Sequence, residues 1–115
     1  MRRREIRLVN LDPVLGNEAA HTRPGVIVSN DGANTTAARL GRGLVTLVPV
    51  TSNIDRVYSF QVLLPATGTG LDTDSKAQAE QVRSVAVERL GPVVGTLGFD
   101  LMDQLDDALR LHLGL

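Results

Sequence analysis

Two short apolar runs, separated by a small polar segment, constrain the fold of this chain more than any other feature. They are GVIVS at residues 25–29 and GLVTLVPVTSN at residues 43–53. Both are rich in β-branched residues and bounded by Gly, Pro or Asn, which is typical of strands. Pro24 holds Arg23 in extended backbone, and Thr51 lies at the polar end of the second run. The sequence therefore predicts an arginine and a threonine at the mouths of two neighbouring strands, where a guanidinium and a hydroxyl suit a phosphate ester.

Composition limits the classes of protein that the chain can belong to. Its 115 residues, 43% of them hydrophobic and 22% charged, predict one soluble globular domain over residues 1–115. Without cysteine it has neither a disulfide nor a thiolate metal site, and no apolar run approaches the roughly 20 residues of a membrane helix. We therefore expect a cytoplasmic protein without a membrane partner.

The net charge is -1, but residues 1–60 carry eight arginines against five acidic residues. This imbalance predicts either a basic face that attracts a polyanion or an ordinary mixed surface.

Further periodicity predicts a small, strongly curved and mainly β sheet closed by a C-terminal helix. In the first strand, Ile6, Leu8 and Leu11 are expected to face the core. The apolar stripe around Leu105 and the cap signal at Gly114 predict the helix. A strand is predicted from Gln78 onward to residue 86. The remaining expectations are a turn or short helix at residues 31–41, strands at 58–64 and 93–95, one helical turn at 87–90, and a loop at 12–23.

Motifs along nearly the whole chain resemble those of the MazF/PemK toxins. They are MRRREIRLVN at residues 1–10, LDP at 11–13, GNE at 16–18, RPGVIVS at 23–29, VPVTSN at 48–53, YSFQV at 58–62 and EQVRS at 80–84. The sequence departs from the family at Arg4, Arg7 and Asn10, where Gly, Trp and Asp are usual.

The resemblance implies a single toxin domain with an SH3-like β-barrel of the CcdB/PemK type, and a homodimer. It also implies a sequence-specific, ribosome-independent endoribonuclease that cleaves single-stranded mRNA without a metal or other cofactor. A cognate MazE-like antitoxin would neutralise it, and DNA would be contacted only through that antitoxin.

Metal-independent RNA cleavage needs a base for the 2'-hydroxyl, a group that stabilises the phosphorane and an acid for the leaving oxygen. The resemblance places the family's catalytic Arg and Thr at Arg23 and Thr51, whose guanidinium and hydroxyl donate to phosphate oxygens. Glu18 matches a loop glutamate of the family and is a candidate base. His21 has the better pKa for proton transfer near neutral pH, but it lies one position from the family's histidine.

Other polar residues are candidates for RNA binding, and each also has a structural interpretation such as a turn, a cap or an ion pair. They are Ser52, Asn53, Ser29, Gln81, Arg83 and His21. Residues 2–4, all arginine, are expected to form a flexible basic start. Two histidines 91 positions apart make a catalytic metal site an unfavoured interpretation.

The chain has only three aromatic residues, Tyr58, Phe60 and Phe99. This scarcity argues against base stacking as the main mode of RNA binding. Two alternative functions remain, a gyrase poison like CcdB and a non-catalytic module that binds RNA or an antitoxin. The chain ends in Leu-Gly-Leu and lacks the C-terminal tryptophan on which the gyrase poisons rely.

Overall fold

The computed structural model of the protein describes residues 1–11 and 22–115. Within these residues the chain forms seven strands and two helices, in the order β1 (Glu5–Asn10), β2 (Thr22–Ile27), α1 (Asp31–Leu40), β3 (Leu44–Thr51), β4 (Gln61–Leu64), β5 (Ser75–Gln78), β6 (Arg83–Ala86), β7 (Leu90–Thr96) and α2 (Phe99–Leu113). Short 3-10 turns at Ala79–Gln81 and Val87–Arg89 flank β6. The predicted helical turn after residue 86 is therefore confirmed, and the segment predicted as a turn or short helix is α1.

Strand β3 is the centre of the sheet, whose order is β4-β5-β3-β2-β1-β7, with β6 also paired to β3. Strand β2 pairs along one edge of β3. The other edge is shared, because residues 44–47 pair with β6 whereas Val50 and Thr51 pair with β5. The prediction of a mainly β fold with a C-terminal helix is confirmed. No ladder between described strands joins β4 to β7, so the sheet is open instead of a hydrogen-bonded ring.

Several predicted strand boundaries differ from the observed ones, and two of the differences have a clear local cause. The strand predicted from Gln78 to residue 86 is interrupted by a 3-10 turn, closed by the Val82 N–H donating to the Ala79 carbonyl. This turn carries the chain from the β5 half of the β3 edge to the β6 half. Strand β4 begins only at Gln61, because the Gln61 N–H closes a turn onto the Tyr58 carbonyl at 2.9 Å.

The apolar side chains form two clusters, and for this reason the alternating pattern did not predict correctly which residues of β1 are buried. One cluster includes Ile6 and the buried face of α2, and the other includes Val9, Ile27 and Leu47. Val9 is buried although the sequence predicts Leu8 on the core face, and Leu8 is only half-buried. Both faces of β1 are covered by apolar side chains, so one apolar stripe does not define its buried residues.

Helix α2 matches its prediction closely. Met102, Leu105 and Ala108 are buried, whereas His112 at the end of the predicted stripe is exposed. Gly114 ends the helix in the left-handed region at φ 73°, and its N–H donates to the Arg110 carbonyl. Among the described residues, no helix combines the length and the apolar character needed to cross a membrane.

The N-terminal arginines do not form the flexible basic start that the sequence suggested. The Arg3 Nε donates to the Val28 carbonyl at 2.9 Å, and its Nη2 pairs with an Asp106 carboxylate oxygen at 2.5 Å. The Arg3 backbone N–H donates to the Asp31 carboxylate at 2.7 Å, and this hydrogen bond is the largest cause of a lowered pKa of Asp31. Contacts to three parts of the chain, rather than solvent, therefore fix this segment.

Arg4 occupies a backbone conformation that favours glycine. Its φ is 81°, the one positive value at a non-glycine residue in the described part of the chain. Its guanidinium donates to the Leu97 carbonyl at 2.7 Å and lies 4.0 Å from the centre of the Phe99 ring. These contacts offset the backbone cost of an arginine where the MazF/PemK pattern has glycine.

We expect the Arg4→Gly variant to be more stable than the Arg4→Ala variant by about 1 kcal/mol. Both substitutions remove the guanidinium contacts, so the pair isolates the backbone cost of φ 81°. The free energy of unfolding in urea measures the difference. Equal stability of the two variants would contradict the proposed strain.

Candidate active site

Strands β2 and β3 bring Arg23 and Thr51 to the same end of the sheet. Their ladder pairs Gly25 with Pro49 and Val26 with Val48. Continuing that register by two residues sets Arg23 opposite Thr51, and residues that face each other across an antiparallel pair share one side of the sheet. Two residues 28 positions apart in sequence are thus brought together by strand pairing.

A cleft of about 340 Å³ opens at this end of the sheet. Three segments line it: residues 22–24 at the start of β2, residues 50–52 at the end of β3, and a third segment at β5. The third segment consists of residues 71–73, which precede β5, and Ser75, which begins it. Val50 and Leu71 are buried and give the cleft an apolar base. The remaining lining is mainly polar, which suits a charged ligand held by directed hydrogen bonds.

The third segment is held in place by hydrogen bonds of its own side chains. The Thr69 hydroxyl donates to the Pro65 carbonyl at 2.6 Å and accepts from the Leu71 N–H at 3.3 Å. The Asp74 carboxylate accepts from the Ala66 N–H at 2.8 Å, and this bond joins the two ends of the loop between β4 and β5. The cleft wall is therefore an ordered loop, in which Thr69 is buried.

Arg23 and Thr51 both retain hydrogen-bonding capacity toward the cleft. Arg23 is exposed, and its guanidinium has no hydrogen bond or ion pair to any other residue in the two described stretches. Thr51 is half-buried, and its Oγ1 accepts from the Asn53 N–H at 3.3 Å, which leaves the hydroxyl proton for a ligand. Two donors of different geometry thus face one open space.

The other candidates separate into those near the cleft and those away from it. Ser52 lines the cleft, and exposed Asn53 follows directly and accepts from the Asp55 N–H at 3.3 Å. Gln81 and Arg83 are exposed at the 3-10 turn and on β6, and they are not part of the lining. Glu18 and His21 lie outside the described residues.

Ser29 is also outside the cleft, at the junction between β2 and α1. Its hydroxyl donates to the Asn34 side-chain oxygen at 2.5 Å and accepts from the Thr46 N–H at 3.1 Å. The Asn34 amide in turn donates to the Ser29 carbonyl at 2.8 Å. These bonds satisfy a buried asparagine, so the structural interpretation accounts for Ser29.

Sequence reasoning missed Asp72, Thr73 and Ser75, all of which line the cleft. Asp72 is the one carboxylate among the lining residues that the structure describes. The available signal was a polar run immediately before β5, whose partner strand ends at Thr51. No cluster of His, Asp or Glu able to hold a metal ion occurs in the described portion of the chain.

The arginine and the threonine give one polar cleft on a small sheet both a charged and a neutral hydrogen-bond donor, and charge-assisted bonds from arginine are the kind that hold phosphate groups. The family model of the PemK-like, MazF-like toxins of type II toxin-antitoxin systems matches residues 2–113, and the chain belongs to this family. It is 62% identical over 115 residues to the endoribonuclease MazF9 of Mycobacterium tuberculosis strain ATCC 25618 / H37Rv, covering all of this chain and 98% of that protein.

Solved structures show the same fold. A crystal structure of MazF from Deinococcus radiodurans matches with a TM-score of 0.78 and 25% identity, over 100% of this chain and 97% of that one. A mycobacterial endoribonuclease in complex with its cognate antitoxin matches with a TM-score of 0.77 and 23% identity, over 100% of this chain and 96% of that one.

Proposed function

We propose that this toxin is a sequence-specific, ribosome-independent endoribonuclease that cleaves single-stranded mRNA without a metal. The observation that carries the proposal is that Arg23, whose guanidinium has no partner among the described residues, lines the same cleft as Thr51. The relationship to MazF9, which is named an endoribonuclease, supports the same activity.

The reaction uses the 2'-hydroxyl of the RNA as its nucleophile. As the 2'-oxygen loses its proton to a base, it bonds to phosphorus, and the bond to the 5'-oxygen breaks. The products are a 2',3'-cyclic phosphate and a 5'-hydroxyl, which takes a proton from an acid. Arg23 donates to the non-bridging oxygens as negative charge develops on them, and Thr51 donates to one of the same oxygens.

Three residues are candidates for the base. Glu18 and His21 are the candidates from sequence, and Asp72 is the carboxylate that the described cleft adds. A base must come within about 3 Å of the 2'-hydroxyl, either directly or through one water. The pH dependence of the cleavage rate in Glu18→Gln, His21→Asn and Asp72→Asn discriminates among them. The variant that lacks the base loses the rise in rate that accompanies deprotonation of that base.

Cleavage of a long single-stranded RNA by the purified protein tests the activity. We expect fragments with 5'-hydroxyl ends at a recurring short sequence and 2',3'-cyclic phosphates at the other ends, with an unchanged rate in EDTA. Loss of cleavage with the chelator contradicts the metal-independent mechanism. A folded protein that binds RNA without cutting it supports the non-catalytic module instead.

We also propose that the toxin acts as a homodimer in the cytoplasm and that a cognate MazE-like antitoxin neutralises it. Contact with DNA would occur only through that antitoxin. Apolar side chains at the end of α2 support a protein partner, since Leu111, Leu113 and Leu115 are 59%, 53% and 86% exposed. Light scattering of the purified toxin tests the dimer, and a monomer at micromolar concentration would contradict it.

A further inference from the structure

The aromatic residues of this protein lie outside its hydrophobic core. Both buried clusters consist of aliphatic side chains, methionine and alanine. Tyr58 is 43% exposed, Phe99 is 72% exposed and Phe60 is half-buried. Aromatic rings normally contribute strongly to a core, so three rings at the surface need another explanation.

Two of these rings form one surface. Tyr58 and Phe60 stack with their ring centroids 5.2 Å apart and their planes within 4° of parallel. The Arg56 guanidinium lies 5.1 Å from the centre of the Tyr58 ring, and the Lys76 ammonium lies 5.8 Å from it. Both distances are within the range of cation–π attraction. We call these four residues, Arg56, Tyr58, Phe60 and Lys76, the aromatic pad.

Hydrogen bonds fix the pad on the sheet. The Tyr58 N–H donates to the Gln61 side-chain oxygen at 3.1 Å, and the Gln61 amide donates to the Glu80 carboxylate at 2.7 Å. The Lys76 ammonium donates to the Arg56 carbonyl at 2.6 Å. A ring held by its backbone can receive a planar ligand with little further loss of conformational entropy.

The pad stands beside the cleft. Lys76 pairs directly with Thr51 in the β3–β5 ladder, and Ser75, the residue before it, lines the cleft. Arg56 is exposed, and its guanidinium makes no hydrogen bond or ion pair to another residue within the described ranges, so its charge is available to a phosphate. A flat aromatic surface with an exposed cation, next to a site for the scissile phosphate, matches the chemistry of one unpaired nucleotide.

We propose that the aromatic pad is a stacking subsite for an unpaired nucleobase adjacent to the scissile phosphate, in which the nucleobase replaces the Arg56 guanidinium on the Tyr58 ring and Arg56 contacts the phosphate of that nucleotide. This inference rests on the proposed function as an RNA-cleaving enzyme. It also refines the argument from aromatic scarcity, because two of only three rings are placed side by side next to the cleft. Stacking contributes affinity at one position here, and polar groups supply the remainder of the binding.

The test uses Tyr58 as its own reporter, because the chain contains one tyrosine and no tryptophan. The probe is a mixed-sequence RNA of about 12 nucleotides with 2'-O-methyl groups, which binds but lacks the attacking hydroxyl. We expect this probe to quench Tyr58 fluorescence. An abasic strand of the same length and charge should bind more weakly and leave the emission unchanged.

Affinity for the same probe at fixed salt provides the second measurement. We expect Tyr58→Ala to weaken binding about 5- to 100-fold, which corresponds to the stacking of one base, and Tyr58→Phe to remain within about twofold. Phe99→Ala is the matched control, because it removes an exposed ring that also faces an arginine but lies at the start of α2. It should leave the affinity unchanged.

Three results would overturn the subsite: equal quenching by the abasic strand, unchanged affinity of Tyr58→Ala, or loss of self-association in Tyr58→Ala, which would make the pad a protein interface. Because the probe cannot be cut, its binding tests the stacking site independently of cleavage. If the probe quenches Tyr58 but the protein does not cleave ordinary RNA, the stacking site is retained and the nuclease function is rejected. If the protein cleaves RNA but Tyr58→Ala binds the probe with unchanged affinity, the nuclease function is retained and the stacking site is rejected.

Discussion

The Arg23→Ala variant is expected to lose RNA cleavage by about 10³-fold or more while remaining folded. Its guanidinium is the cation in the cleft that can stabilise negative charge on the phosphorane, and a neutral methyl group cannot replace it. Stability should change by less than about 0.5 kcal/mol, because Arg23 is exposed and has no partner among the described residues. Initial rates on a defined RNA, together with urea unfolding, measure both quantities.

Matched variants separate the role of charge from that of geometry. Arg23→Lys keeps the positive charge but loses the planar fork, so an intermediate activity is expected. Arg42→Ala removes the same charge from an exposed position outside the cleft and should leave cleavage within about twofold. If Arg23→Ala and Arg42→Ala lose activity equally, Arg23 acts only through the general field of the protein, and the catalytic assignment fails.

Thr51 allows a parallel comparison within the same experiment. Thr51→Val preserves the shape of this half-buried side chain and removes the hydroxyl, whereas Thr51→Ser preserves the hydroxyl. A loss of about 10²-fold in Thr51→Val with much smaller loss in Thr51→Ser would identify hydrogen-bond donation as the role of the residue. Similar losses in both variants would indicate packing instead.

The sequence was sufficient to predict the pairing that positions Arg23 and Thr51. Both strands are short, β-branched and bounded by residues that end strands, so local propensity and tertiary structure agree. The same agreement holds for α2, where the apolar stripe, the terminal charges and Gly114 all indicate one helix. Elements in which several signals coincide are the ones that sequence reasoning locates well.

The loop at residues 71–73 could not be placed from sequence, because its position depends on contacts that no local pattern encodes. Leu71 reaches the core, and Asp72 reaches the cleft only because the preceding residues pack against β7. Arg3 is a similar case, since its ion pair with Asp106 spans 103 positions. Contacts between residues far apart in sequence determine where these two segments lie, whereas the periodicity of the sequence indicates only which face of an element is apolar.

The pair Gly70 and Gly95 shows how this packing is achieved. A Cβ on Gly95 would lie 2.0 Å from the Thr69 carbonyl oxygen, and a Cβ on Gly70 would lie 2.2 Å from the Val94 carbonyl oxygen. Gly70 also has a φ of 81°, which side chains rarely adopt. Two stretches of backbone therefore approach each other more closely than any other residue permits, and the approach fixes the start of the cleft wall.

We expect Gly95→Ala to destabilise the protein by about 2 to 3 kcal/mol and to reduce cleavage as well. The new methyl group meets backbone atoms, which cannot rotate away as a flexible side chain can, so β7 or the loop before residue 71 must move. Movement of that loop displaces Leu71 from the core and Asp72 from the cleft. Urea unfolding and cleavage rates measured well below the unfolding midpoint distinguish the two consequences.

Gly98→Ala is the matched control for this prediction. Gly98 precedes α2 at φ -63°, and a Cβ built there meets nothing within 4 Å. The same chemical change should therefore cost less than about 1 kcal/mol, arising only from the weaker preference for alanine at a helix N-cap. If the two variants lose equal stability, the close approach of the backbones at Gly70 and Gly95 is not a determinant of the fold. If Gly95→Ala is the less stable variant but cuts RNA at the normal rate, the loop reaches the cleft without the support of β7.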